Sequence, residues 1–506
     1  FVHDECAQPL GHLGRPVGRP VVDDDRPIRR RHPREHPLQG PSLVEGREDH
    51  VDACHGSNLG DGVGCARMGA DRDHVDTRRG QLVGLVGWVA LVVTAVVWPR
   101  WWPLPDRSGV DAPPFYGRWG WHDLAGIAPA VGVAGLLVWA WPLVTDRLAT
   151  SPLAVVTGAA SALWAVFLAG SGGVEQLWSP LANRHGYLGV GADLDAGAFL
   201  RTFVERLGNY PTHVKGHPPG MPLLLRAMDT VGLGGPRWAA VLCFVVWGIG
   251  IAAVVVTVRE LGGEGAARRA CGTIAFLPAA VFAGTTFDAF FAGAIAVTVA
   301  TLVWSVRRRG WRSDVSAVVG GALASGCLHL SYGFVPLALI PLAIAIRERR
   351  ARPLLLAGFG AAVVVALFVA GGFWWLDGLD ATRGFYADGI SQFRPYSYFV
   401  FVGNPAALAL ALGPVAAAGL GGLAVRGART AWSERWPLLA AASLAAVAAA
   451  DLSGLSNAEV ERIWLPFMPW IAVAATAVVT QRSRRWWLAT SLALGLALQV
   501  GLVTPW

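Results

Sequence analysis

Apolar segments separated by short polar links recur from residue 82 to the end of the chain. A helix that crosses a bilayer needs about 20 apolar residues, and several of these segments are somewhat shorter. They predict an all-α, polytopic transmembrane helical bundle. The thirteen candidate spans are 82–98, 124–144, 152–170, 237–258, 271–287, 289–306, 315–331, 333–346, 354–375, 405–424, 437–452, 464–480 and 487–503.

The arginines of the links predict which ends of the spans share a side. Cytoplasmic loops carry an excess of Lys and Arg. With the chain before residue 82 inside, the opposite short links hold only Arg462. We therefore expect a multi-pass plasma-membrane protein with a cytoplasmic N-terminus and long outward links at 99–121, 171–236 and 376–404. The inward links hold Arg147, Arg259, Arg268, Arg269, Arg307 to Arg309, Arg312, Arg347, Arg349, Arg350, Arg352, Arg426, Arg429, Arg435, Arg482, Arg484 and Arg485.

The amino-acid composition is typical of a membrane protein, and this affects how the net positive charge is interpreted. The 506 residues are 54% hydrophobic and 15% charged, against about 25% charged in soluble domains. The net charge of +7 comes from arginines mostly in short links, so it reports topology and does not indicate a nucleic-acid partner.

Residues 1–80 have a different composition and hold seven of the twelve histidines. They predict either a disordered tail or sequence upstream of the true start, for which Met68 is a candidate. We therefore divide the chain into 1–80, a region of two additional spans at 81–148, and a main membrane domain at 149–506.

A single lysine, Lys215, lies between His213 and His217 in the second outward link, just before Pro218-Pro219. Proline starts helices well, so a helix should begin here and run over 219–233. Two charged residues three apart, Arg226 and Asp229, interrupt that stretch, which predicts a helix lying in the interface. Its positive N-terminus beside Lys215 and His217 would suit an anion, at this surface a lipid phosphate. The alternative is a plain turn before the helix.

Paired carboxylates, Asp193 and Asp195, precede this motif in the same link. Such a pair can supply a general base or metal ligands, so a divalent metal is left open and no cofactor is certain. The alternative is a solvated loop in which Asp195 caps a helix over 196–207. Glu205 is a weaker candidate for the base.

Two further charges interrupt apolar sequence on the outward side. Asp288 separates two apolar runs, and such a group is costly unless paired or wetted, which favours a functional role over a simple helix cap. Arg462 could clamp a phosphate or pair with Glu459 or Glu461. His329 and Tyr332 either line the same cavity or serve in packing.

This layout resembles the C-type superfamily of polytopic glycosyltransferases, especially protein O-mannosyltransferases and aminoarabinose transferases. The resemblance covers about residues 150–310 and rests on a span, an acidic residue in a large outward loop, a closing His-Pro-Pro motif, an interfacial helix, and an outer aspartate. The matching parts here are span 152–170, Asp193 or Asp195, His217 to Gly220, helix 219–233 and Asp288. The segment Asn457 to Trp464 looks like a late outer motif of actinobacterial members.

The resemblance implies a membrane glycosyltransferase with a polyprenyl-phosphate sugar donor and an envelope glycan or protein acceptor. It implies Asp193 or Asp195 as the base, and His213, Lys215, His217, Asp288 and Arg462 as substrate-binding residues. The rival hypothesis is a multi-pass transporter or flippase for a lipid-linked or anionic substrate, which would place ionisable residues within spans and divide the chain into similar halves. A third is a non-catalytic membrane scaffold.

Overall fold

A computed structural model describes residues 61–121, 124–192, 194–284 and 286–504, with the side chains of 61–76, 390–391 and 428–431 left aside. The described chain is almost entirely helical, as its apolar pattern predicts. The α-helices of seven or more residues are Asp61–Trp101, Leu124–Arg147, Thr150–Ala169, Ala196–Thr202, Gly220–Thr230, Pro236–Ala275, Asp288–Arg307, Trp311–Leu328, Leu339–Arg347, Arg352–Ala370, Trp375–Ala387, Asn404–Glu434, Pro437–Leu452 and Arg484–Gly501.

Shorter pieces join these helices. Four-residue or shorter α-helical turns are Leu188–Gly191, Thr212–Lys215, Ala280–Ala283, Tyr396–Tyr398, Val460–Ile463 and Met468–Ile471, and a π-helical turn is Phe399–Gly403. The 3-10 turns are Asp106–Ser108, Gly170–Gly172, Val174–Leu177, Ser179–Ala182, Leu207–Asn209, Tyr332–Ala338, Ile390–Phe393 and Ala472–Ala477.

Seven helical stretches of the described chain are long and apolar enough to cross a bilayer, which confirms a polytopic helical protein. They are Thr77–Trp101, Leu124–Arg147, Thr150–Gly172, Pro236–Ala275, Asp288–Arg307, Arg352–Ala370 and Tyr396–Gly427; shorter apolar helices are Tyr332–Arg347, Pro437–Leu452 and Met468–Ala477.

Several of the thirteen segments are not continuous α-helices. The segment 333–346 begins as the 3-10 turn Tyr332–Ala338, 405–424 contains the non-helical Gly413, and two others are broken more strongly. In 271–287 the long helix ends at Ala275 and only Ala280–Ala283 follows, and 464–480 consists of short turns. Pro278 and Pro469 lie in these segments, and proline removes a helix hydrogen bond. Apolar composition predicted burial here more accurately than it predicted helix length.

The three long links that we assign to one side of the membrane do meet. Arg394 in the third link donates to the Ser108 carbonyl in the first (3.3 Å). Thr382, also in the third, donates to the Lys215 carbonyl in the second (3.0 Å). We call this the link end of the bundle.

The arginine-bearing links also contact one another, at what we call the arginine end. Arg308 pairs with Glu260 at 2.8 Å, and Glu348 accepts from both Arg307 and Arg435 at 2.9 Å. The alternation of arginines thus predicted which links lie together.

Three short strands interrupt the all-α pattern at the link end. Val110–Asp111 pairs in parallel with Gly117–Trp119, which pairs antiparallel with Leu502–Val503. The first long link is thereby joined to the end of the last long helix.

The helix after Pro218-Pro219 is Gly220–Thr230, close to the 219–233 expected. Arg226 and Asp229 lie on one face, with Nη1 and Oδ2 3.3 Å apart. The first helical N–H, of Gly220, donates to the His329 carbonyl (2.9 Å), which fixes the start of the helix.

Close backbone contact positions the helix that carries Asp288. A Cβ on Gly293 would lie 2.0 Å from the Val246 carbonyl oxygen, and one on Gly250 would lie 2.4 Å from Gly293 Cα. No side chain fits in these gaps, so glycine lets Pro236–Ala275 and Asp288–Arg307 touch through their backbones.

Residues 1–60 lie outside the described residues, so for them a disordered tail or sequence upstream of the true start stays a prediction. The first described helix begins at Asp61, within the segment 1–80.

Candidate functional site

A buried arginine joins two acidic residues at the link end. Arg462 is 7% exposed; its Nη1 donates to Asp288 Oδ2 at 2.8 Å and its Nη2 to Glu459 Oε2 at 2.5 Å. Asp288 opens its helix and is itself 7% exposed. Burial disfavours the charged guanidinium, but the two carboxylates outweigh it and raise the pKa of Arg462. A buried charge persists only with such partners.

Glu459 is shared with a second arginine. Arg394 Nη2 donates to Glu459 Oε1 at 2.9 Å, and Nη1 donates to the Asn457 carbonyl at 2.7 Å. Burial alone would raise the pKa of Glu459, but Arg462 and Arg394 lower it to about 2. Arg462, Asp288, Glu459 and Arg394 form the Arg462 network, in which two cations balance two anions.

The backbone that presents Glu459 is strained. Ala458 and Glu459 have φ of +69° and +62°, a left-handed conformation that costs about 1–2 kcal/mol per non-glycine residue. Asn404 supports it: Oδ1 accepts from the Ala458 N–H at 3.1 Å, and Nδ2 donates to Asp451 Oδ1 and to the Ser456 carbonyl at 2.8 Å. Such strain is held where the surroundings over-determine it.

Glu461, two residues further on, is in the opposite electrostatic situation. It is 0% exposed and its Oε1 accepts from the Tyr116 N–H at 3.1 Å. Burial, with the nearby Glu459 charge, raises the pKa of Glu461 to about 8. The turn Val460–Ile463 and its N-cap residue Glu459 thus place one carboxyl group whose pKa is lowered two residues from one whose pKa is raised.

The two histidines of the lysine motif lie beside this network. His213 and His217 each meet the Tyr187 ring edge-on, at 5.8 and 5.7 Å, and Tyr187 also packs on Phe287, the neighbour of Asp288. Burial, followed by the positive charge of Arg462, lowers the pKa of His213 to about 3. Burial also lowers the pKa of His217. Both imidazoles are therefore neutral at pH 7.

Lys215 lies on a different side of its short helix. Its Nζ is 5.6 Å from the centre of the Phe385 ring, in the third link. A cation over an aromatic face is modestly stabilised. The structure thus brings His213, His217, Asp288 and Arg462 together and places Lys215 against the Trp375–Ala387 helix.

Of the paired carboxylates, Asp195 is the N-cap of the helix Ala196–Thr202, and its Oδ1 accepts from the Ala198 N–H at 2.6 Å. Its side chain is exposed. This is the capping role that the sequence left open. Asp193 lies outside the described residues.

His329 is a packing residue in this structure. It is 2% exposed and stacks on Phe368 with ring centres 3.8 Å apart. Its neighbour in our sequence prediction, Tyr332, packs edge-on against Trp375.

Three residues of the site had no distinguishing signal in the sequence. Arg394 stands in a long link beside Arg383, and nothing in the sequence separates the two. Tyr116 and Tyr187 are ordinary link tyrosines until the chain folds. Among the described residues, no group of three or more His, Cys, Asp or Glu side chains is arranged to hold a metal ion.

No model of a known protein family matches the sequence, and no curated protein matches it. Among solved structures, the chain is similar to ArnT from Cupriavidus metallidurans bound to undecaprenyl phosphate, with a TM-score of 0.42 and 15% identity. The match covers 64% of this chain and 59% of that one. A likeness of this size does not identify a function, which has to rest on the residues of the site.

Proposed function

We propose that this protein is an integral membrane glycosyltransferase. It would move a sugar from a polyprenyl-phosphate donor to an envelope acceptor at the outer face of the plasma membrane. The observation that carries the proposal is the position of Arg462: a buried cation, held by two carboxylates beside two neutral histidines, where the three long links meet. A preorganised guanidinium in a site with little water strongly stabilises a developing phosphate charge.

The sharing of Glu459 supports this role. Because Arg394 also bonds Glu459, that carboxylate stays neutralised when Arg462 turns part of its donor set toward a phosphate. An arginine paired with only one acid would leave a buried anion behind, at a cost of several kcal/mol. The network can therefore bind an anion at Arg462 while Arg394 still neutralises the charge of Glu459.

The reaction needs a proton acceptor near that cation. The acceptor hydroxyl oxygen attacks the anomeric carbon, the bond from that carbon to the phosphate oxygen breaks, and polyprenyl phosphate leaves with the electron pair. We assign the hydroxyl proton to Asp288, since it is a carboxylate already in contact with Arg462. Asp193 and Asp195 are the alternative bases from the sequence, and Asp195 would have to give up its helix cap.

The lysine motif has the donor-binding role in this proposal. A neutral His213 can donate one hydrogen bond to a phosphate oxygen. His217 already donates its Nδ1–H to the His213 carbonyl at 2.8 Å, so its Nε2 would accept a hydrogen bond from a hydroxyl of the donor, and Lys215 adds a cation in the second link. A Lys215→Ala variant should bind donor more weakly because it loses a charge that offsets the anion.

The test uses purified protein, radiolabelled polyprenyl-phosphate sugars, and separate measurements of donor binding and product formation. Asp288→Asn should retain donor binding and lose about 10²–10⁴-fold in turnover, since an amide cannot accept the proton. Asp195→Asn is the matched control, because asparagine caps helices as well as aspartate, and it should turn over normally. Asp193→Asn is measured alongside.

Three outcomes would contradict parts of this proposal. Loss of turnover in Asp195→Asn or Asp193→Asn, with Asp288→Asn active, would show that the general base is an acid of the second link. Wild-type protein that forms no glycosylated product, but moves labelled lipid across vesicle membranes, would replace the transferase with the transporter. Normal donor binding and normal turnover in all variants would show that the reaction does not take place at the link end.

A further inference from the structure

The opposite end of the bundle contains a pocket that the proposed function does not use. It has a volume of about 180 Å³ and lies where the helices Leu124–Arg147, Pro236–Ala275 and Arg484–Gly501 end or bend. The charged side chains that line it are Asp146, Arg268, Arg269 and Arg484. We call it the arginine pocket.

The charge of the pocket is unbalanced, unlike that of the Arg462 network. Arg484 forms two hydrogen bonds with Asp146, at 2.6 and 2.7 Å, and so uses the single acid of the lining. Glu264, outside the lining, is 3.9 Å from Arg268 and 65% exposed, so water screens that pair strongly. The lining therefore retains a net positive charge.

The two remaining arginines are held by backbone oxygens. Arg268 donates through Nη1 to the Thr145 carbonyl, and Arg269 donates through Nε to the Thr476 carbonyl at 3.2 Å. These bonds fix the side chains without neutralising them. Arginine fixed in this way presents a planar set of donors that matches the oxygens of a phosphate.

Trp141 forms part of the pocket wall. It is 6% exposed and packs edge-on against Phe276, with ring centres 4.9 Å apart. The pocket therefore combines a rigid aromatic wall with two arginines that no acid of the lining balances.

We propose that the arginine pocket binds a phosphate group, either of an anionic phospholipid in the adjoining leaflet or of a free phosphate. Its volume is below the roughly 300–1,000 Å³ of sites for drug-sized ligands, so it suits a phosphate and not a nucleotide. Trp141 and Trp487 in the lining are typical of the membrane interface. Basic pockets between membrane helices on the cytoplasmic side bind lipid head groups.

The test measures lipid and phosphate binding to the full-length protein. The protein is reconstituted in nanodiscs of phosphatidylcholine with increasing phosphatidylglycerol, and bound lipid is counted by native mass spectrometry. Inorganic phosphate is titrated in a separate series. The variants are Arg268→Gln, Arg269→Gln and Arg269→Lys. The control is Arg309→Gln, because Arg309 is an exposed arginine in the same class of link but outside the pocket.

Arg269→Gln should reduce phosphatidylglycerol binding about tenfold, the effect of one charged hydrogen bond, and Arg309→Gln should not. Arg269→Lys keeps a positive charge but loses the planar set of donors, so it should show a smaller loss. Inorganic phosphate that binds with the same dependence on Arg269, without a preference for phosphatidylglycerol, would identify free phosphate as the source. Equal binding by wild type, Arg268→Gln and Arg269→Gln in both series would overturn the proposal. Unfolding temperatures in pure phosphatidylcholine show whether each variant is folded. If a glutamine variant is not folded, Arg269→Lys decides, because binding equal to wild type in that variant would overturn the role of the planar donors.

Discussion

The two ends of the bundle use arginine in opposite ways. At the link end, Arg394 and Arg462 are 5% and 7% exposed and share Glu459. At the arginine end, Arg484 is 23% exposed and its partner Asp146 47% exposed, while Arg268 and Arg269 bond backbone carbonyls. Charge is therefore balanced where arginine is buried and in excess where it is near water. The positions of the arginines along the chain predict which side of the membrane each link lies on. They do not predict whether an arginine is buried and paired or close to water.

The largest expected effect follows from removing each arginine in turn. Arg462→Met leaves Asp288 beside Glu459 in a buried site without their common partner, and breaking a buried pair in this way costs about 3–5 kcal/mol. Arg484→Met leaves Asp146 open to water, and exposed pairs contribute only about 0–1 kcal/mol. The measurement is the free energy of unfolding of both variants in the same detergent. Equal losses would mean that burial does not distinguish the two ends.

A second prediction concerns the neighbouring carboxyl groups of the link end. Burial raises the pKa of Glu461 to about 8, so the folded protein holds a proton that the unfolded chain releases near pH 4.5. Stability should therefore fall as the pH rises between these values, by about 2 kcal/mol from about pH 6 to about pH 8. Glu459 behaves oppositely: its pKa of about 2 gives stability that is lost only in acid.

Glu461→Gln should remove that slope, because the amide stays neutral at every pH. The measurement is the free energy of unfolding of wild type and variant at several pH values on this interval. A wild-type curve that is already flat there would mean that Glu461 is ionised in the folded state. The arginine end provides the control: Asp146→Asn should leave the slope unchanged.

The smallest expected effect comes from the strained turn. Ala458→Gly relieves a positive φ that alanine adopts at a cost, and the gain is offset by the greater backbone freedom of glycine in the unfolded chain. We expect a net gain of less than about 1 kcal/mol. Ala440→Gly, in the regular buried helix Pro437–Leu452, should instead lose about 1 kcal/mol. A loss in Ala458→Gly as large as in Ala440→Gly would show that the turn is not strained.

Much of the fold follows from apolar periodicity and arginine placement, since both act locally along the chain. These patterns gave the helical bundle, the helix near 219–233 with its Arg226–Asp229 pair, and the grouping of links at two ends. They did not give the broken segments at 271–287 and 464–480, where tight burial replaces a continuous helix.

The site could be predicted only in part. Asp288 and Arg462 were conspicuous because each is a charge between apolar runs, but their contact across 174 positions depends on tertiary packing. Sequence left Glu459 and Glu461 as equal partners for Arg462; the turn Val460–Ile463 decides for Glu459 and directs Glu461 to the Tyr116 amide. Arg394 was missed because an arginine in a long polar link carries no signal until its neighbours are known.

The backbone contact at Gly293 has a consequence for inheritance of variation in this protein. Asp288 and Gly293 belong to the same helix, little more than one turn apart, and the glycine leaves no space for even a methyl group against Val246. Any other residue at Gly293 has to push the helix away from Val246, and we expect it to move the acid at the start of the same helix that faces Arg462. A screen for inactive alleles should therefore recover missense changes at Gly293 as well as at Asp288.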